Sequence, residues 1–155
     1  MNSEPNLQTG DAVAAILLAA DGRYVLQLRD DFPHIWYPGH WGLFGGSIDP
    51  GESELEALRR ELHEELELEI DVTQARLFTR FEFDLRPLGL QSCLRSYYEI
   101  AIGAAELGRA VLHEGHEVRS VPGDEALAMK LVPYDAFALF LHHQRRRLIT
   151  GITAR

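Results

Sequence analysis

Three glutamates constrain this chain more than any other feature. In residues 46–68, GSIDPGESELEALRRELHEELEL, Glu61, Glu64 and Glu65 stand at i, i+3 and i+4 and share one helix face. Leu55, Leu58, Leu62 and Leu66 recur at spacings of three and four and form an apolar stripe roughly 110° round the same helix. The stripe packs on a sheet, and the carboxylates point into an open site. Like charges at this spacing destabilise an isolated helix. Hard divalent cations offset that repulsion, and Mg2+ takes a few carboxylates together with water and substrate phosphate. A solvated acidic face is the bland reading of the same residues, but their surroundings argue against it. Gly45-Gly46 supplies flexible backbone ahead of the helix, and Pro50-Gly51 turns the chain into it. Ser53 and Glu56 have capping-box spacing, and Glu52 and Arg60 bracket the first two turns with opposite charges.

The flanking segments read as a layered α/β domain. Ala12 to Ala20 is a continuous apolar run, a buried strand. Asp21-Gly22 marks a hairpin, and Tyr24 to Leu28 returns. Residues 30–40 hold two prolines and three aromatics, a structured loop, and Trp41 to Gly46 is short and apolar. Residues 76–85 and 92–102 form a second hairpin across Arg86-Pro87-Leu88-Gly89. Residues 109–121 are strand or loop. Pro133 opens a last helix whose apolar face is Phe137, Phe140 and Leu141. The polar residues 1–10 are expected to fray, and 11–155 to form a single domain with a mixed sheet.

Composition removes several alternatives. The net charge of −9 over 155 residues disfavours a nucleic-acid partner and suits a protein that gathers cations. A single cysteine, Cys93, excludes an intrachain disulfide and a cysteine zinc site, and fits a reducing cytoplasm. No signal peptide is read at the N-terminus, and no apolar run approaches a membrane span.

The 46–68 stretch resembles the Nudix (MutT-like) hydrolase signature: Gly46, five residues, Glu52, seven residues, Arg60-Glu61, Leu62, then Glu64-Glu65 and Leu68. The one departure is Glu67, where the signature has glycine. The strand pairs and the last helix also match the family's layout. The resemblance implies a Nudix-type α/β/α sandwich with a mixed β-sheet that hydrolyses a nucleoside diphosphate linked to another group. It implies Mg2+ or Mn2+ held by Glu61, Glu64, Glu65 and the Gly46 carbonyl, and a Glu52–Arg60 salt bridge that fixes the loop. Physical chemistry agrees: metals cancel pyrophosphate charge and lower the pKa of a bound water, which a carboxylate such as Glu64 or Glu65 orients or deprotonates.

Outside the box, Glu114 in Glu114-Gly115 is similar in order and context to a late-loop ligand or base of some members; the alternative is a surface carboxylate. Glu117 is a second choice. His113 and His116 are poor Mg2+ ligands. Trp36 and Tyr37, with Phe32, either stack on a nucleobase or cover a core edge. Arg29 and Arg80 either reach phosphates or lie at strand ends. His142-His143 and Arg145 to Arg147 serve the dipole of the last helix. Cys93 reads as a small core residue. At Glu67 the helix gives way to a period-two pattern, Leu66 to Val72, so Glu67 is expected to be left-handed. The leading function is a metal-dependent pyrophosphohydrolase. The alternatives are a non-catalytic Nudix-fold nucleotide-binding or regulatory module, and an acidic scaffold.

Overall fold

A computed structural model describes residues 10–153. The frayed segment expected at 1–10 lies, apart from Gly10, outside the described residues. Among the described residues, seven strands form one mixed sheet: β1 Ala12–Ala19, β2 Tyr24–Leu28, β3 Trp41–Gly42, β4 Phe44–Ser47, β5 Arg76–Phe83, β6 Cys93–Ile102 and β7 Glu117–Val121. Helix α1 is Glu54–Leu66, α2 Ala104–Arg109, α3 Gly123–Ala128 and α4 Pro133–Thr153.

β1 is central and buried on both faces, which is why it reads as an unbroken apolar run. β6 runs parallel to it over residues 95–102, and β5 pairs antiparallel with β6. Along its other edge β1 changes partner: Leu17 and Leu18 pair with β2, while Ala12 to Ala15 pair with β4. β2 also pairs with β7. The pleat divides β1 between two cores. Val13, Ala15 and Leu17 face Leu58, Leu62 and Leu66 of α1. Ala14 and Ile16 face Ala138 and Leu139 of α4. Helices therefore cover both faces of a mixed sheet, the α/β/α sandwich expected.

Helix α1 begins as its sequence dictates. Ser53 Oγ accepts the Glu56 N–H and the Glu56 carboxylate accepts the Ser53 N–H, a complete capping box. It ends at Glu67, which is left-handed at φ 52, ψ 27 without being glycine. The period-two pattern that follows is not a strand: among the described residues, 67–71 pair with nothing in the sheet, although Leu68 is buried in the α1 core.

α4 starts at Pro133 but buries a different face from the one its hydrophobicity suggests. Phe137 and Phe140 are 54% and 50% exposed, while His142 is completely buried. Its Nδ1 meets Tyr24 Oη at 2.7 Å and Arg145 Nη1 at 2.9 Å, and its Nε2 meets Glu99 at 2.6 Å. Arginine only donates, so Nδ1 accepts and Nε2–H donates to Glu99. Burial lowers the His142 pKa, consistent with this neutral tautomer. His142 to Arg147 are therefore mid-helix rather than dipole-capping residues, because α4 continues to Thr153. Among the described residues, no helix is long and apolar enough to cross a membrane.

Candidate active site

The site forms where β1 exchanges β2 for β4. Gly45, at φ 134, brings its Cα so close to the backbone of Val13 and Ala14 that any Cβ would collide there. Glu65 of α1 meets the same stretch of backbone. Glu65 is 4% exposed, accepts the Gly45 N–H at 2.9 Å, and receives the Gln27 side-chain amide at 3.2 Å. Gln27 in turn donates to the Leu43 carbonyl at 3.2 Å. The glutamates therefore do not all face open space: Glu65 is wedged under the sheet, Glu61 lies at the rim, and Glu64 is about half exposed.

Arg60 gathers the remaining carboxylates. It bonds Glu52 through Nε and Nη2, both at 2.8 Å, and Glu61 through Nη1 at 2.8 Å. It also reaches Glu64 at 3.3 Å and the Ser47 carbonyl at 2.9 Å. Its hydrogen bonds hold the Glu52 carboxyl down to about 2. Glu61 moves the other way, because burial outweighs Arg60 and the charges of Glu64 and Glu114 add to the rise. Burial pushes Glu65 up to about 8, with Glu61 and Glu114 contributing in the same direction.

Glu114 reaches this centre from the loop 110–116, which is fastened at both ends. The Val111 and His113 N–H groups donate to the Leu66 and Glu65 carbonyls, at 3.0 and 2.9 Å. Gly115 N–H donates to Asp30 at 3.0 Å, and His116 N–H to the Leu28 carbonyl at 2.8 Å. Glu117 instead begins β7 and pairs with Arg119. Neither His113 nor His116 belongs to a metal-binding group of side chains among the described residues.

Beside Gly45 and Gly46 lies a cavity of about 540 Å³, walled by Trp36, Tyr37, Phe83, Tyr134 and Phe137. Arg29, Trp36 and Tyr37 line it together; Arg29 Nε is fixed on the Trp36 carbonyl at 2.9 Å. Tyr37 is left-handed at φ 51. Arg80 is elsewhere: its guanidinium bonds Glu54 at 2.8 Å and Ser96, anchoring the start of α1 to β5 and β6. Arg80, with Tyr98 and Ser96, holds the Glu54 carboxyl at about 2. Cys93 is not a core residue; it lines the cavity and is partly exposed.

Arg95 was not visible as a site residue in the sequence. It also lines the cavity, stacks 4.8 Å from the Tyr134 ring centre, and pairs with buried Asp135 at 3.3 Å. Its alternation with Tyr97 on β6 was the only available signal.

The donor set suits a hard divalent cation. Every candidate ligand is an oxygen, and a Cβ on Gly46 would stand 2.5 Å from the Glu61 carboxylate, so that residue must be glycine for the backbone and Glu61 to approach. Among the described residues no three acidic, histidine or cysteine side chains yet converge on one point. Arg60 holds Glu61 and Glu64, while Glu65 is held by Gly45 and Gln27.

An acid-box helix clamped on a mixed sheet beside an aromatic cavity defines a Nudix-type domain. Residues 8–150 match the NUDIX domain family model, and the chain belongs to that family. It is similar to the nucleoside triphosphatase NudI of Escherichia coli O1:K1, 41% identical over 70 residues, 45% of this chain and 48% of the relative. The aligned stretch thus spans about half the length of the curated relatives it matches. Among solved structures, the MutT protein from Methanosarcina mazei Go1 superposes at TM-score 0.69 with 20% identity, over 90% of this chain and 98% of that one. The Shewanella oneidensis NrtR NUDIX domain, solved with ADP ribose, superposes at 0.67 with 20% identity, over 93% and 94%. The E. coli dihydroneopterin triphosphate pyrophosphohydrolase gives 0.65 with 19% identity, over 86% and 94%. These likenesses show the fold.

Proposed function

We propose that the chain is a divalent-cation-dependent pyrophosphohydrolase acting on a nucleoside diphosphate linked to another group: a nucleoside triphosphate, an oxidised nucleotide or a nucleotide sugar. The observation that carries this reading is Glu65, a buried carboxylate held by two neutral donors, with further carboxylates around it and, among the described residues, no cation bonded to it. Such a group is costly to ionise unless a positive charge arrives. The NudI relatives that the chain matches in sequence are nucleoside triphosphatases, which supports a triphosphate.

Glu61, Glu64, Glu65 and the Gly46 carbonyl are the groups that would hold the cation. Bound Mg2+ or Mn2+ supplies neutralisation of the pyrophosphate charge and a water of lowered pKa. Glu52 fixes Arg60, and Arg60 holds Glu61 and Glu64 in register. Glu114, exposed beside Glu61 and Glu65, takes the proton of the attacking water; Glu64 and Glu65 are the alternative bases. Trp36 and Tyr37 stack on the base and Arg29 faces the phosphates, while Arg95, committed to Asp135 and Tyr134, shapes the cavity wall. Arg80, committed to Glu54, is assigned a structural role.

The test is phosphate or pyrophosphate release from a panel of these compounds with Mg2+, with Mn2+ and with excess chelator. Activity should require the cation and rise toward alkaline pH. Turnover that persists in chelator would contradict the reading. Nucleotide binding without turnover would favour the non-catalytic module.

A further inference from the structure

The box departs from its signature at Glu67, and the structure gives that departure a partner. Left-handed Glu67 directs its carboxylate to His113 Nε2 at 2.5 Å, across 46 residues of chain. His113 precedes Glu114. The carboxylate only accepts, so Nε2–H donates, whether the ring is neutral or charged. The αL turn at Glu67 also leaves the Glu65 and Leu66 carbonyls free of helical partners, and these receive the His113 and Val111 N–H groups. Glycine at 67 would keep the turn and those two acceptors but lose the side-chain tie.

We propose that Glu67 and His113 form a clamp that positions Glu114 over Glu61 and Glu65, so that Glu67 is a positioning residue for the hydrolysis. This rests on the reading of Glu114 given above. The clamp explains why a residue with a Cβ occupies a position where glycine would be less strained. Part of the backbone cost is set against an ordered loop. Both side chains are about half exposed, so the tie contributes little to global stability. Its effect falls on the local geometry of Glu114.

The experiment compares wild type with Glu67→Gly, Glu67→Gln, His113→Ala and the Glu67→Gly/His113→Ala pair. Amide hydrogen exchange at Val111 and His113 is read without cation or substrate. Then kcat and KM are measured on a nucleoside triphosphate with Mg2+. Glu67→Gly should speed exchange at both amides and lower kcat about tenfold at unchanged KM. Glu67→Gln keeps the acceptor and should restore both to within about twofold of wild type. The double variant should be no worse than either single one. Unchanged exchange in Glu67→Gly, or additive losses in the pair, would overturn the clamp. If wild type turns over no nucleotide, the functional reading fails, and the exchange data still decide whether the clamp orders the loop.

Discussion

Among the described residues, two carboxylates are buried in this fold, one on each face of the sheet, in opposite surroundings. Asp135, 2% exposed on the α4 side, accepts the Leu43 N–H at 3.0 Å and faces the Arg95 guanidinium at 3.3 Å and Tyr97 Oη at 3.3 Å. Glu65, on the α1 side, has two neutral donors and carboxylates for neighbours. Burial penalises a charge in both places. On the α4 face the chain supplies its own counter-charge and the polar groups close among themselves, as do His142, Tyr24, Glu99 and Arg145. On the α1 face the positive charge of Arg60 is spent on Glu52, Glu61 and Glu64. The difference separates a polar network that specifies packing from one that asks for a ligand.

The comparison breaks most visibly by substitution. Glu65→Gln keeps the side-chain shape and removes a carboxyl that burial makes costly to ionise. Its kcat should fall by about 10³-fold or more while the denaturant midpoint holds or rises. Asp135→Ala should do the reverse to the fold, costing about 3–5 kcal/mol because Arg95 is left buried and unpaired. If both variants lose stability alike, the two carboxylates are not different in kind. Glu114→Gln sharpens the picture of the site: kcat should drop about 10²-fold, and a wild-type rate would return the base role to Glu64 or Glu65.

A smaller effect concerns acid stability. Hydrogen bonds from Arg80 hold the Glu54 carboxyl at about 2, below its ordinary 4.5. The folded state therefore binds that proton more weakly than the unfolded chain. Its stabilisation is present above about pH 4.5 and is lost as pH falls toward 2. Denaturant midpoints measured across that window should decline more steeply for wild type than for Glu54→Gln. Parallel curves would mean that the anchor of α1 to β5 and β6 is not electrostatic.

The asymmetry also decided what could be read from the sequence. The box was legible because its chemistry is local: a strict spacing on one helix, a capping box at its start, and an αL residue where the hydrophobic period changes. The depth of Glu65 was not legible, since its wedge depends on Gly45 and Gln27, 20 and 38 residues away. The face of α4 was misread for a related reason. Hydropathy places Phe137 inward and His142 outward, but His142 finds Tyr24 and Glu99, 118 and 43 residues distant. A polar side chain with every bond satisfied buries as readily as an apolar one. Arg80 carries no mark that its partner is Glu54. Helices α2 and α3, six residues each, are too short to show a period. Arg95 entered the cavity only through the pairing of β6 with β1.

The central claim is that the α1 face binds a divalent cation through Glu65 and its neighbours. A ligand that binds only the folded state raises its stability with concentration. The direct measurement is the thermal midpoint of wild type and of Glu65→Gln as Mg2+ or Mn2+ is titrated in without nucleotide. The account predicts a midpoint that climbs with the cation for wild type and stays flat for Glu65→Gln. A flat wild-type curve, or an equal climb in both proteins, would contradict it.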